Sequence, residues 1–260
     1  MTEDRNFDDI AHKFAKNIYG SDKGEIRQVI VWEDLEQLLS QLDTQKVPLH
    51  VLDAGGGLAQ VSQKIARLGH RVTLCDLSSE MLQLAEQDIA NNGLLEQYRF
   101  VHSPVQTIQA HLDAPVDLVL FHAVMEWLAE PKPALQNLLA QVRPGGMVSV
   151  MFYNYHGLVY KNAVCGNIPH VLEDMPHCKR FKLQPQKGLL PEEVYQWIEE
   201  SGFEICGKSG IRCFSDYIGN MKNMGEYQYE DLVALERKFC RQEPYLSLGR
   251  YIHVWAKKKQ

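Results

Sequence analysis

A short apolar run, Leu49-His50-Val51-Leu52-Asp53, passes without interruption into Ala54-Gly55-Gly56-Gly57. A strand that ends in consecutive glycines constrains the fold more than any other feature of this chain. In open parallel sheets, ligands bind beyond the carboxyl ends of the strands, where the strand order reverses. Glycines at that place let the backbone approach a ligand that a Cβ would hold away. A second run, Arg71 to Asp76, ends in Cys75-Asp76-Leu77-Ser78. Asp76 stands where an acidic side chain can accept from both hydroxyls of a ribose.

Two nucleotide classes fit that pair of strands. A nicotinamide dinucleotide needs G-x-G-x-x-G and a helix N-terminus facing its pyrophosphate. Here Gly55-Gly56-Gly57 is followed by Leu58-Ala59-Gln60-Val61, with no third glycine in place. The carboxylate of Asp53 would repel a pyrophosphate, whereas it suits the α-ammonium end of a methionine. The residues therefore favour S-adenosylmethionine.

Hydrophobic periodicity supplies the frame. Helices are expected over Ile10–Gly20, Glu25–Leu42, Ala59–Leu68, Ser79–Asn91 and Pro133–Gln141. Strands are expected at Arg71–Asp76, Tyr98–His102, Val116–Phe121 and Met147–Tyr153, the last following a turn at Arg143-Pro144-Gly145-Gly146. Alternation of this kind implies a parallel sheet covered on both faces. Residues 155–188 lack clean periodicity and are long for a plain connection, so they are expected to be functional or to carry structure of their own. A helix at Pro191–Ser201, a strand at Glu204–Phe214, an amphipathic helix at Tyr227–Gln242 and a final antiparallel strand at Arg250–Ala256 complete the pattern. The whole reads as one domain, 1–260: a helical lid at 1–45, a nucleotide-binding core at 46–154, and a substrate-side insertion with the sheet edge at 155–260.

The formal net charge is −6, unevenly spread. Residues 1–150 carry 12 basic and 20 acidic side chains, and the remainder carries 15 and 13. The C-terminal part is thus relatively positive. No apolar run reaches the roughly 18 residues of a membrane span, and Met1 to Phe7 is acidic and polar, unlike a secretory signal. A cytoplasmic protein is expected. The six cysteines form no C-x-x-C pair, and H-E-x-x-H is absent, so no metal site is expected. Cys75 and Cys206 fall in strand-like runs and read as buried apolar residues.

The glycine loop with Asp53, the acidic end of the second strand, the strand at Val116–Phe121, the Arg143–Gly146 turn and the final strand occur in the order seen in class I S-adenosylmethionine-dependent methyltransferases, which this chain resembles. That resemblance implies an α/β, Rossmann-like class I methyltransferase fold: a mostly parallel seven-stranded sheet with an antiparallel last strand, an N-terminal helical lid and C-terminal cap insertions. It also implies that Val105 and Gln106 frame the adenine and that His122 lines the methionine and sulfonium region. Arg27 would pair with the methionine carboxylate, where a guanidinium fork is suited. With Asp53, Gly55, Gly56 and Asp76 these are the expected cofactor residues.

Further segments narrow the resemblance. Asn6-Phe7-Asp8-Asp9-Ile10 with Asn17-Ile18-Tyr19-Gly20, Leu120 through Trp127, Met151-Phe152-Tyr153-Asn154, and Cys240 through Tyr245 with Gly249 through His253 look like the bacterial tRNA 5-carboxymethoxyuridine methyltransferases. The resemblance implies methyl transfer to the carboxylate of 5-carboxymethoxyuridine at the wobble position of a tRNA anticodon loop. A small-molecule carboxyl or oxygen methyltransferase is the alternative. A carboxylate is already ionised at neutral pH and needs no general base, so no catalytic residue is singled out. Arg212, Arg241 and Arg250 are candidates to hold the acceptor carboxylate. Tyr19, Tyr153, Tyr155, Tyr160 and Tyr245 are candidates for base stacking, with His177 through Lys182 as a mixed basic and aromatic stretch.

Overall fold

The structure, a computed structural model, describes residues 3–11, 22–42, 48–175, 185, 188–218 and 228–260. Seven strands form one sheet: β1 His50–Ala54, β2 Arg71–Asp76, β3 Tyr98–His102, β4 Val116–His122, β5 Val142–Tyr153, β6 Phe203–Ile211 and β7 Tyr251–Lys258. Their order is β3-β2-β1-β4-β5-β7-β6. The β1–β2, β2–β3, β1–β4 and β4–β5 pairs are parallel. Strand β7 runs antiparallel to both β5 and β6. The winding reverses between β1 and β4, so a crevice opens beyond their carboxyl ends.

Alternation along the strands sends side chains to two cores. In β4, Val116, Val119 and Phe121 face one core, and Leu118 and Leu120 face the other. The first core is closed by helices Pro131–Ala140 and Pro191–Glu200, and the second by α1 (Asp22–Gln41) and helix Ser79–Asn91. Among the described residues no helix is long and apolar enough to cross a membrane.

Several expected boundaries move for identifiable reasons. Strand β5 begins at Val142, not Met147, and takes in the Arg143–Gly146 turn. The Asp117 carboxylate accepts from Arg143 Nε at 2.5 Å and from the His50 amide at 2.8 Å, and this pins the glycine pair against β4. A register shift between Val116 and Leu118 absorbs the irregularity. The helix expected from Ala59 starts at Gln60, because Ala59 adopts a left-handed φ of 58°. Residues 155–188 do carry structure, helices Tyr155–Val164 and Ile168–Leu172. Cys75 is buried as expected, but Cys206 is exposed, since β6 is the sheet edge. The expected helix at Ile10–Gly20 lies mostly outside the described residues, and Tyr19 and His177 through Lys182 lie wholly outside them.

One buried carboxylate holds the loop after β6. Glu236, on the helix Tyr229–Phe239, accepts from the amides of Cys213 (2.7 Å), Phe214 (3.1 Å) and Ser215 (2.9 Å). It is fully buried. Replacing it with alanine would leave buried donors unpaired, each costing roughly 1–3 kcal/mol. Glu236→Ala is expected to lower stability by about 3 kcal/mol or more, with a fall in Tm of roughly 6–12 °C in calorimetry.

Candidate active site

A cavity occupies the crevice at the carboxyl ends of β1, β2 and β4, and all eight expected cofactor residues line it. The glycines form its floor. Gly55 and Gly57 have φ of +66° and +55°, and a Cβ on Gly56 would lie 2.4 Å from Asp53 Cγ. The Gly55 amide donates to the Cys75 carbonyl at 2.7 Å, which ties the loop to β2.

Two carboxyl groups flank that loop. Asp53 Oδ2 accepts from Ser62 Oγ at 2.5 Å. Burial pushes the Asp53 pKa up to about 6, against the Ser62 hydrogen bond. Asp76 accepts from the amides of Gly57 (2.9 Å) and Ser78 (2.8 Å). Burial raises its pKa too, opposed by those amides. Neither carboxyl has an ion-pair partner among the described residues, so this end of the cavity is suited to a cationic and hydroxyl-bearing ligand.

Val105 and Gln106 open a 3₁₀ turn after β3, fixed by Asn137 Nδ2, which donates to both their carbonyls. Gln106 Nε2 donates to Asp4 Oδ2 at 2.7 Å, while its Oε1 is buried with no partner. Arg27 reaches the cavity from α1 and has no ion pair among the described residues. His122 closes the end of β4, and its Nε2 lies 2.7 Å from Ser149 Oγ.

The N-terminal strap supplies lining that individual sequence assignments missed. Asp4, Arg5 and Phe7 face the cavity. The Phe7 ring meets Trp127 edge-on at 5.0 Å, and the Arg5 amide donates to the Trp127 carbonyl at 3.1 Å. Asp4 accepts from the Ala129 amide at 2.8 Å, and Asp8 from Ser78 Oγ at 2.6 Å. The strap thus bridges the two sides of the crevice. The segment has no periodicity; only its place in the resemblance marked it.

The acceptor candidates separate into three groups. Tyr153 lies two residues beyond Met151, a cavity residue, on the same face of β5, which is a displacement of about 7 Å along a strand. Tyr153 pairs in register with Tyr251, and Ile211 pairs with Tyr251 from the other side. Arg212 and Arg250 therefore meet at one sheet end. The Arg250 guanidinium lies 4.7 Å from the Tyr153 ring centre, and that of Arg212 5.4 Å from Tyr251. Asp216 pairs with Arg212 at 2.9 Å and with Arg250 at 3.6 Å. Arg212 Nε, Arg250 Nη1 and Tyr153 Oη are buried without hydrogen-bond partners. Arg212 has a left-handed φ of 62°, a strained backbone of the kind that clusters at functional sites.

Arg241 is committed elsewhere: Nε and Nη2 donate to Asp34 Oδ1 at 3.0 and 2.6 Å. Tyr245 packs on Phe239 at 4.7 Å and Phe214 at 5.5 Å. Neither borders the cavity, because each is already part of the packing between α1, β6 and the helix Tyr229–Phe239. Tyr155 and Tyr160 lie on the helix Tyr155–Val164, and the Tyr160 side chain is exposed. Among the described residues, no group of three or more His, Cys, Asp or Glu side chains is arranged to hold a metal.

The chain is 50% identical over 258 residues to the tRNA 5-carboxymethoxyuridine methyltransferase of Escherichia coli, an alignment covering 99% of this chain and 98% of that one. It belongs to that family. Residues 52–150 match the family model described as a methyltransferase domain. A ubiquinone biosynthesis O-methyltransferase of Xylella fastidiosa is 26% identical over 65% of this chain and 68% of its own. The fold matches a magnesium protoporphyrin IX methyltransferase from Synechocystis crystallised with bound SAH, at a TM-score of 0.65 and 16% identity, over 97% of this chain and 96% of that one. The fold is thus the Rossmann-like methyltransferase fold that the family resemblance implied, with the antiparallel strand inserted before the edge.

Glu126 was not singled out in the sequence. Both its carboxyl oxygens are buried without a hydrogen-bond partner. Burial pushes its pKa up to about 8, opposed by its own backbone, the Tyr153 backbone and Arg27. The neutral form is therefore the favoured one at pH 7. A folded-state pKa raised above the unfolded 4.5 means that its stabilising effect is complete below that value. The effect is lost as pH rises through about 8, at up to about 1.4 kcal/mol per pH unit. Gln cannot ionise. The Tm of Glu126→Gln minus that of the wild type is therefore expected to rise steadily from pH 5 to 8 in paired melts.

Proposed function

We propose that this protein is an S-adenosylmethionine-dependent enzyme that methylates the carboxylate of 5-carboxymethoxyuridine at the tRNA wobble position, giving the methyl ester. The observation that carries the acceptor is the Arg212–Arg250 pair beside Tyr153, with donors left unpaired in a buried place. Donors of this kind match a carboxylate, and bidentate guanidinium contacts orient it as well as bind it.

The cavity residues fit the nucleotide. The glycine floor admits a ligand where a Cβ could not stand. Asp76 would hold the ribose, Gln106 Oε1 would accept from the adenine, and Arg27 would pair with the methionine carboxylate. When bound, S-adenosylmethionine supplies an electrophilic methyl group whose bonding pair stays on sulfur. The protein's task is then to bind and aim an acceptor that is already ionised, an effect worth up to roughly 7–11 kcal/mol when alignment is good. The family's tRNA substrate also fits the relatively basic C-terminal part and a cytoplasmic location.

Incubation with labelled S-adenosylmethionine and tRNA bearing 5-carboxymethoxyuridine should yield a base-labile methyl ester at the wobble uridine. Absence of that ester, with transfer to small acids instead, would overturn the proposal. Arg250→Ala should lower kcat/KM for tRNA roughly 10- to 100-fold, as expected for loss of a hydrogen bond to a charged group worth about 1.5–3 kcal/mol. Its affinity for S-adenosylmethionine, read by calorimetry, should be unchanged. The raised Asp53 pKa of about 6 predicts a pH effect on the nucleotide. Protonation neutralises the carboxyl that faces a cationic ligand, so affinity should fall as pH drops through about 6 and level off above about 7.

A further inference from the structure

A chain of buried polar groups runs from His122, which lines the cavity, to the buried face of α1. Ser149, His253, Asp34 and Ser209 are each 0% exposed. Ser149 Oγ lies 2.7 Å from Nε2 of His122 and 2.7 Å from Nε2 of His253. His253 Nδ1 lies 2.8 Å from Asp34 Oδ2. Asp34 Oδ1 accepts from Ser209 Oγ at 3.0 Å and from the Arg241 guanidinium at 3.0 and 2.6 Å. The sheet register builds the chain. His122 pairs with Met151, Met151 with His253, and His253 with Ser209, in one row across β4, β5, β7 and β6. Ser149, one step back on the same face of β5, lies between the two imidazoles.

Proton counting along this chain leaves one arrangement for a neutral His253. Burial opposes ionisation of Asp34, but the hydrogen bonds from His253 and Arg241 and the Arg241 charge outweigh it and hold the carboxyl below its ordinary value. A carboxylate only accepts, so His253 donates from Nδ1. Its Nε2 is then a lone pair and takes the single proton of Ser149. The serine oxygen, its proton committed, accepts from His122 Nε2–H. His122 is itself neutral: burial above all, with the Arg27 charge, pushes its pKa well below the ordinary histidine value. Its Nδ1 makes no hydrogen bond among the described residues and is not sealed inside the protein, so it opens to the cavity that His122 lines.

We propose that Ser149, His253 and Asp34, with Arg241 behind them, are positioning residues that lock His122 as its Nε2–H tautomer. Nδ1 is thereby presented to the cavity as an obligatory acceptor for a cationic group of the ligand. This rests on the S-adenosylmethionine reading for the ligand, and not for the tautomer. The opposite polarity needs a doubly protonated His253, which would make Ser149 donate to His122 and turn Nδ1–H into a donor. Arg27, the charged side chain beside His122, is a donor. The tautomer therefore makes the two neighbours complementary, one for a carboxylate and one for a cation. Two groups of the ligand share the cationic chemistry, the α-ammonium and the sulfonium.

The test is a two-bond ¹H–¹⁵N spectrum of histidine-labelled protein at neutral pH without ligand. His122 is expected to show an unprotonated Nδ1 and a protonated Nε2. A protonated Nδ1 in the wild type overturns the proposal, and this reading stands even if a core variant fails to fold. Ser149→Ala is expected to erase the tautomer preference and to weaken nucleotide binding about tenfold, one charged hydrogen bond's worth. Ser149→Thr, which keeps the hydroxyl, is expected to restore both. Equal weakening for S-adenosylmethionine and S-adenosylhomocysteine assigns the lone pair to the α-ammonium. Weakening for S-adenosylmethionine alone assigns it to the sulfonium. An unchanged His122 signature in Ser149→Ala overturns the proposal. If the wild-type tautomer is as expected but neither nucleotide binds, the cofactor reading fails while the tautomer assignment stands.

Discussion

The rest of the structure depends on the parting of β1 and β4, where the sheet reverses its winding. Backbone hydrogen bonds continue between these strands, but the connections that leave their carboxyl ends turn to opposite faces. A crevice results that no side chain of the sheet itself can fill. Everything chemical gathers at its rim: the glycines that keep the floor low, the two carboxyl groups, the imidazole and the guanidinium. Asp53 shows the cost of that crowding. It is buried beside a loop that leaves it no cation, and its raised pKa measures how poorly the folded chain alone solvates the charge.

Much of this frame was legible in the residues. The core strands β1, β2 and β4, the glycine loop and Asp76 follow from short apolar runs with clear ends, because burial on both faces leaves a continuous hydrophobic signature. Strand β5 was read too short, since Arg143-Pro144-Gly145-Gly146 has the composition of a turn. The pairing of Val142 with Val116 and the Asp117 contact, both from a different strand, make it part of the sheet. The eight expected nucleotide residues converge on one cavity because each sits at the end of a strand or on the helix above it, positions that the repeating topology dictates.

What was not legible depends on pairing. Arg212, Arg241 and Arg250 are indistinguishable as sequence; they differ in what already holds them. Arg241 is consumed by Asp34, while the other two keep unpaired donors. The strap from Asp4 to Asp8 is too short and too polar to carry a period. The polar chain behind His122 draws single residues from five elements distant along the sequence, a juxtaposition that only the sheet register creates.

The contact of Asp216 with both Arg212 and Arg250 has a consequence for turnover. An internal carboxylate keeps the two cations occupied and in place before any visitor arrives. An acceptor acid held there, as proposed, would offer a second negative charge to donors still unsatisfied. Once it became an ester its charge would be gone, and the resident aspartate would have no competitor. The reaction would thus erase the feature by which its substrate was gripped.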